Sequence, residues 1–199
     1  TNDELALVKN IAMAYAKYTS QFERKTIPLG LNHMFSSIAT LRALQCLQSN
    51  KTKPLKILEI GGGSSLLGQM CFKSGFEYSN FDITQAFAIN NSCVYSELYE
   101  DEFMNFAEIP NSLDKNLITQ NSKKINFIPW WHFLNTSIDL PRQDIIVMNH
   151  CFFEISLKAL YFILARLGYH GDRQSVFVSH WGNGRHMDYG VGETIEIEK

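Results

Sequence analysis

A glycine turn, Gly61-Gly62-Gly63, contains the residues best suited to bind a ligand. It follows the apolar segment 55–60 and precedes a helical pattern that begins near Ser65. Glycine is required where the backbone takes positive φ or where a ligand touches the main chain, because a Cβ atom would obstruct both. The helix N-terminus would add free N–H groups. The sequence therefore predicts a ligand-binding turn between a strand and a helix.

The spacing of residues around this turn argues against a dinucleotide-binding protein. It also indicates that an acidic residue on the next strand binds a ribose. The dinucleotide pattern is G-x-G-x-x-G, and Leu66 occupies its last position. Asp82 ends the next apolar segment about 20 residues later, where a carboxylate can accept both hydroxyls of a ribose. Alone, Asp82 would also fit as the cap of a helix that begins near Thr84. Its spacing from the glycines favours the ribose role.

A further polar set follows the apolar segment 144–148 and consists of Asn149, His150 and Glu154. Ligands in open α/β sheets bind at the carboxyl ends of strands, so we expect this set to lie near the glycine turn. A neutral imidazole is the side chain best matched to remove a proton near pH 7. His150 is therefore the predicted general base, and Glu154 orients it or is itself the base. A histidine satisfied by the backbone at a strand end is the alternative.

The elements that would position these residues alternate between short apolar runs and helical patterns, which is typical of βαβ units in a covered parallel sheet. Five parallel strands are predicted, at Leu55–Ile60, Tyr78–Phe81, Ile125–Ile128, Asp144–Met148 and Ser175–Ser179. The alternation within Glu193–Glu198 favours the start of a sixth strand at the end of the chain. The predicted fold class is α/β with a Rossmann-like, doubly wound, mostly parallel sheet.

Two helical patterns precede the first strand and define a helical cap over residues 1–54, before a core over residues 55–199. The first covers residues 2–18 with a capping box of Thr1 and Glu4, and the second runs from Met34 to Leu47. His33 is predicted in the loop between them, as a lid residue over a ligand or as a surface histidine.

Further helices are predicted within the core at residues 65–74, 85–98 and 156–167. Gly75 and Gly168 follow the first and the last of these, as is typical of helix C-termini. The stretch 84–124 is long for one crossover, so we interpret it as a helix followed by an acidic insertion around Glu100–Glu102.

The order of strand, acid and G-x-G at Glu59, Gly61 and Gly63 resembles motif I of class I S-adenosylmethionine-dependent methyltransferases. The resemblance implies S-adenosylmethionine as cofactor, with its methionine part flanked by Glu59 and the glycine loop. The residues implied to bind the cofactor at these two strand ends are Glu59, Gly61, Gly62, Gly63, Ser64, Asp82 and Ile83. The family often has a third glycine where this chain has Ser65.

The same resemblance implies roles at two further strand ends. Many members have an Asp that binds adenine after the strand corresponding to residues 125–128, and this chain has none. Pro129 and Trp130 are therefore expected to cover the ring by apolar contact or stacking, with core filling as the alternative. Asn149 is implied to lie at the transferred methyl group.

The pattern N-x-x-F-x-E over residues 149–154 resembles the one found in bacterial sugar O-methyltransferases. This more specific resemblance covers roughly residues 55–181. It implies methyl transfer to a hydroxyl of a small molecule by in-line displacement. DNA amino-methyltransferases have two prolines at this loop, and Asn149-His150-Cys151-Phe152 lacks them. The alternative is a methyltransferase-like module that binds without catalysis, which the missing third glycine and adenine acid would allow.

Composition narrows the choice of partners and location. A net charge of −2 predicts no bulk attraction to nucleic acid or anionic lipid. The polar start of the chain and the lack of a long apolar run favour a cytoplasmic protein without membrane contact. No metal is expected, because neither the cysteines nor His150, His180 and His186 have metal-binding spacing. The chain is short for the antiparallel hairpin that ends the family's sheet, so incomplete C-terminal strands and a larger parent protein are expected.

Overall fold

Six parallel strands form one sheet in the computed structural model, which describes residues 1–22, 31–110, 114–149, 151, 155–168 and, for the backbone alone, 176–178. The strands are β1 (Lys56–Ile60), β2 (Glu77–Asp82), β3 (Phe103–Asn105), β4 (Ile125–Pro129), β5 (Ile145–Val147) and β6 (Val176–Val178). The helices are α1 (Asn2–Thr19), α2 (Leu31–Gln48), α3 (Leu66–Lys73), α4 (Gln85–Tyr99), α5 (Leu117–Asn121), α6 (Trp130–Phe133) and α7 (Leu157–Arg166).

The spatial order of the strands is β3-β4-β2-β1-β5-β6, and every adjacent pair is parallel. Without β3, the strands follow the chain order third, second, first, fourth and fifth, as in doubly wound sheets. The order reverses between β1 and β5, and ligands of such sheets bind at the carboxyl ends on either side of that point. The predicted fold class is confirmed.

Strand residues point alternately to two apolar layers, because successive side chains of a strand lie on opposite faces. On one face Ile57 and Tyr78 pack with residues of α1, α2, α3 and α4, including Leu41 and Leu67. On the other face Leu58 packs with residues that include Phe133 and Leu160 of α6 and α7. Both faces of β1 are therefore covered, which explains its nearly continuous apolar sequence.

Several predicted element ends are confirmed by their capping geometry. Thr1 and Glu4 form the reciprocal capping box of α1. Ser156 caps α7 by accepting a hydrogen bond from the backbone N–H of Ala159 at 3.3 Å. Gly75 and Gly168 adopt positive φ just beyond α3 and α7, at 83° and 72°. These signals are local, which is why the sequence alone predicts them well.

Two predictions about local structure are wrong. The region after α4 contains a sixth strand, since β3 pairs with β4 at the edge of the sheet and is preceded by a turn at Glu100–Glu102. A strand of three residues is too short to show alternation, and its pairing with β4 defines it. His33 lies in the first turn of α2 and not in a loop, because the helix begins at Leu31.

The proposed strand at Glu193–Glu198 lies outside the described residues. Within the described ranges, no helix combines the length and the apolarity needed to cross a membrane.

Candidate ligand-binding site

A cavity of about 330 Å³ opens at the carboxyl ends of β1, β2 and β5, beside the point where the strand order reverses. Its described lining comes from the last residues of β1 and β2, the glycine turn, Leu67 of α3, the residues between β2 and Phe87 of α4, the residues after β5 and the start of α2. A cavity of this size is in the range of small-molecule sites.

The glycine turn has a conformation and surroundings that other residues would not fit. Gly61 and Gly63 adopt positive φ, at 77° and 48°. A Cβ atom on Gly61 would lie 2.8 Å from the Cβ of Cys151, and one on Gly62 would lie 2.2 Å from the side-chain nitrogen of Asn80. The turn can therefore lie against β2 and the loop after β5 only because it carries no side chains.

Ser65 is the described non-glycine residue with positive φ, at 64°, and it is fully buried immediately before α3. Its hydroxyl donates a hydrogen bond to the side-chain oxygen of Asn91, and its carbonyl accepts one from Tyr95 at 3.3 Å. The backbone at Ser65 is therefore left-handed, a conformation that glycine adopts more easily than any other residue. Serine is held there by hydrogen bonds to α4.

Asp82 joins the glycine turn to the segment that begins α4. One carboxylate oxygen accepts the backbone N–H of Thr84 at 2.8 Å, and the other accepts that of Gly63 at 3.4 Å. Burial raises the pKa of Asp82, and the backbone hydrogen bonds oppose this shift. The side chain of Thr84 adds a further hydrogen bond. A carboxylate has about four acceptor positions, so acceptor capacity remains available to a ligand. The helix-end role and a ligand role are thus compatible.

Glu59 is a second buried acid in the cavity lining, at 4% exposure. Its carboxylate accepts a hydrogen bond from the hydroxyl of Tyr78 on the neighbouring strand β2. Burial raises the pKa of Glu59 from 4.5 to about 7, the Tyr78 hydrogen bond opposes the shift, and the charge of Asp82 adds to it. A cationic ligand group nearby would favour the charged form.

The loop after β5 is tied to two other parts of the site. Asn149 donates a side-chain hydrogen bond to the hydroxyl of Thr40 on α2 at 2.9 Å. The thiol of Cys151 donates to the carbonyl of Ile60 at 2.9 Å. Asn149, Cys151 and Ile155 all line the cavity. His150 and Glu154, the predicted catalytic residues, lie outside the described residues, as do His180 and His186.

The structure brings most of the predicted cofactor residues together. Those that line the cavity are Glu59, Gly61, Gly62, Gly63, Ser64, Asp82, Ile83 and Asn149. Pro129 and Trp130 are not among the lining residues. Pro129 is buried at the end of β4, in register with Asp82, and Trp130 is 50% exposed. Their adenine contact stays a prediction.

The sequence interpretation considered His33 as a lid residue over a ligand, and it missed the other α2 residues of the lining and Phe87 at the start of α4. His33, Ser36 and Ser37 line the cavity. Their spacing of three and four residues places them on one helix face, so a polar stripe was visible in the sequence. The apolar residues used to predict α2 continue the same buried side of the helix, because Leu41 lies one turn after Ser37 and packs in the core.

The charges around the cavity are acidic. Glu59 and Asp82 are the carboxyl groups among the described lining residues, and no lysine or arginine is found among them. Phosphate-binding sites use lysine, arginine or helix N-termini, and two buried acids would repel a phosphate. The cavity therefore suits a ligand with positive charge and hydroxyl groups.

The fold and the site define an open, doubly wound α/β protein with a ligand cavity at the reversal point of its sheet. No protein-family profile matches the chain, and no curated protein matches its sequence.

Solved structures with a similar arrangement include monomeric WbdD, with a TM-score of 0.50, 10% identity and coverage of 83% of this chain and 34% of that one. The PH0226 protein from Pyrococcus horikoshii OT3 has a TM-score of 0.44 and 16% identity, with coverage of 72% and 56%. The glycopeptide N-methyltransferase MtfA, complexed with S-adenosylmethionine, has a TM-score of 0.42 and 12% identity, with coverage of 69% and 52%. This chain thus spans between 34% and 56% of these proteins. The likeness to WbdD shows the fold.

Substitution of Ser65 separates backbone strain from hydrogen bonding. Both Ser65→Ala and Ser65→Gly remove the hydrogen bond to Asn91, but only alanine keeps a Cβ atom at positive φ. We expect the glycine variant to be more stable than the alanine variant by about 1 kcal/mol. Urea denaturation of the two variants measures this difference. An alanine variant as stable as the glycine variant would contradict a strained Ser65.

Glu59 should make the stability of the ligand-free protein depend on pH. Its pKa is raised on folding, so the native state binds the proton more tightly and loses stability as pH rises from 4.5 to about 7. Relative to Glu59→Gln, which keeps an acceptor for Tyr78, the parent protein should lose about 2 kcal/mol between pH 5 and pH 7. Denaturant titrations at both pH values provide the test, and a parallel pH response of the two proteins would rule the shift out.

Proposed function

We propose that this chain binds S-adenosylmethionine in the cavity and transfers its methyl group to a hydroxyl of a small molecule. The observation that carries the proposal is the arrangement of Asp82 and Glu59 on either side of the bare glycine turn, in a cavity without lysine or arginine among its described lining residues. The motif I resemblance at Glu59, Gly61 and Gly63 supports it independently.

Each part of the cofactor finds a suitable group in this arrangement. The remaining acceptor capacity of the Asp82 carboxylate suits ribose hydroxyls. The glycine turn allows the ligand to approach the main chain. The sulfonium and ammonium charges are favoured by the buried carboxyl of Glu59 and by Asp82. Ile83, which is 55% exposed at the cavity, offers an apolar surface for the base.

The proposed chemistry assigns alignment and proton removal to the protein. When bound, the cofactor supplies an electrophilic methyl group and a neutral thioether leaving group. Side chains after β5 would hold the acceptor oxygen in line with that group. His150 would take the hydroxyl proton at an imidazole nitrogen, with Glu154 as its orienting partner. Asn149, Cys151 and Ile155, which flank these two residues in sequence, line the cavity.

The acceptor class is proposed from the same features. A hydroxyl needs a base, which His150 provides, and a sugar or natural-product hydroxyl agrees with the N-x-x-F-x-E resemblance. A non-catalytic binding module is the alternative. The missing third glycine, one reason for that alternative, carries less weight because Ser65 adopts the left-handed conformation that a glycine there would have.

Asp82 gives a direct test of cofactor binding at this site. Wild-type protein should bind 5′-methylthioadenosine more tightly than its 2′-deoxy analogue, and Asp82→Ala should lose most of this preference. The removed contact is a charge-assisted hydrogen bond of about 1.5–3 kcal/mol, so the preference should be at least roughly tenfold. Calorimetric titration measures both affinities.

Asp144→Ala is the matched control for that experiment. Its carboxylate also accepts a backbone N–H, that of Lys56 at 2.9 Å, but at the amino ends of β1 and β5, away from the cavity. This variant should keep the preference for the ribose ligand. If Asp82→Ala also discriminates between the two ligands like the wild type, Asp82 does not bind the ribose.

The catalytic assignment predicts a separation of turnover from binding. His150→Ala and Glu154→Ala should abolish release of S-adenosylhomocysteine in the presence of a hydroxyl acceptor, while cofactor affinity stays within a few-fold of wild type. Glu102→Ala, which removes a surface acid paired with Lys124, is the control and should remain active. A large loss of cofactor affinity in the His150 variant would mean that His150 holds the cofactor instead of acting as the base.

A further inference from the structure

The helix α2 presents polar side chains to the cavity. His33, Ser36 and Ser37 line it, and Thr40 continues the same face one turn further. We refer to His33, Ser36 and Ser37 as the α2 wall. Neither the motif resemblance nor the proposed mechanism gives these residues a role.

Ser37 shows that the α2 wall is suited to a ligand. The residue is only 8% exposed and lines the cavity, yet the structure gives its hydroxyl no hydrogen bond to any described residue. Its oxygen is not fully buried, so the unused hydrogen-bonding capacity of this hydroxyl faces the open cavity and not the core. A hydrogen-bonding group of a ligand in the cavity would supply the partner.

The position of the α2 wall indicates which part of the ligand it meets. The hydrogen bond between Thr40 and Asn149 holds α2 against the end of β5. Asp82 lies at the end of β2, and β1 separates the two strands. With strands about 4.8 Å apart, the two ends are roughly 10 Å apart across the glycine turn. If Asp82 holds the ribose, the thioether crosses the turn and the amino-acid tail reaches α2.

The chemistry of the α2 wall matches a carboxylate. Serine hydroxyls and an imidazole N–H are donors, while the acids Glu59 and Asp82 on the other walls are suited to the cationic parts of the ligand. Because the described lining contains no lysine or arginine, a carboxylate in this cavity would be bound by neutral donors and main-chain N–H groups.

We propose that the α2 wall binds the α-carboxylate of the cofactor's amino-acid tail, with the hydroxyl of Ser37 donating a hydrogen bond to it. This inference rests on the proposed function. It makes α2 part of the cofactor site and leaves acceptor contacts to the residues after β5.

The test compares two ligands that differ in the tail. S-adenosylhomocysteine carries the amino-acid tail and 5′-methylthioadenosine does not. Ser37→Ala should weaken binding of S-adenosylhomocysteine roughly tenfold to a hundredfold, the effect of one hydrogen bond to a charged group. Its affinity for 5′-methylthioadenosine should stay within twofold, and Ser37→Thr, which keeps a hydroxyl, should restore part of the lost affinity.

Ser49→Ala is the matched control, because Ser49 lies just beyond α2 with its hydroxyl bonded to the carbonyl of Cys46. It should change neither affinity. Equal weakening of both ligands by Ser37→Ala, or no weakening of either, would overturn the assignment of the tail to α2. If wild-type protein binds neither ligand, the proposed function itself fails, and that outcome is distinct from the others.

Discussion

The carboxylate of Asp82 is the contact on which the site depends. It accepts backbone N–H groups from Gly63, in the turn after β1, and from Thr84, at the start of α4. Two loops that follow neighbouring parallel strands are thereby joined at one buried group. The glycines make the junction possible, because a side chain at Gly62 would collide with Asn80 beneath it. Gly63, Asp82 and Thr84, which form this junction, all line the cavity.

A second constraint is electrostatic. Glu59 and Asp82 both lie in the cavity lining, and burial raises the pKa of each. Tyr78 stabilises Glu59 by one hydrogen bond, and no lysine or arginine is found among the described lining residues to neutralise either acid. A cationic ligand would stabilise the ionised form of these two buried carboxyl groups. The same condition disfavours ligands that carry phosphate groups.

The features predicted well from sequence are those that depend on neighbouring residues in the chain. The glycine turn, the capping of α1 and α7, and the apolar cores of β1, β2 and β4 are of this kind. The edge strand β3 was missed because Phe103–Asn105 becomes a strand only by pairing with β4. His33 was considered as a lid residue, but Ser36 and Ser37 were missed because their position at the cavity depends on how α2 lies against the end of β5, where Thr40 contacts Asn149.

The central claim is that S-adenosylmethionine occupies this cavity with its ribose on Asp82. A crystal structure of the protein grown with S-adenosylhomocysteine tests it most directly. We expect both ribose hydroxyls within about 3.2 Å of the Asp82 carboxylate and the thioether beside the glycine turn. A nucleoside bound elsewhere on the sheet edge, with Asp82 still bonded only to Gly63 and Thr84, would contradict it.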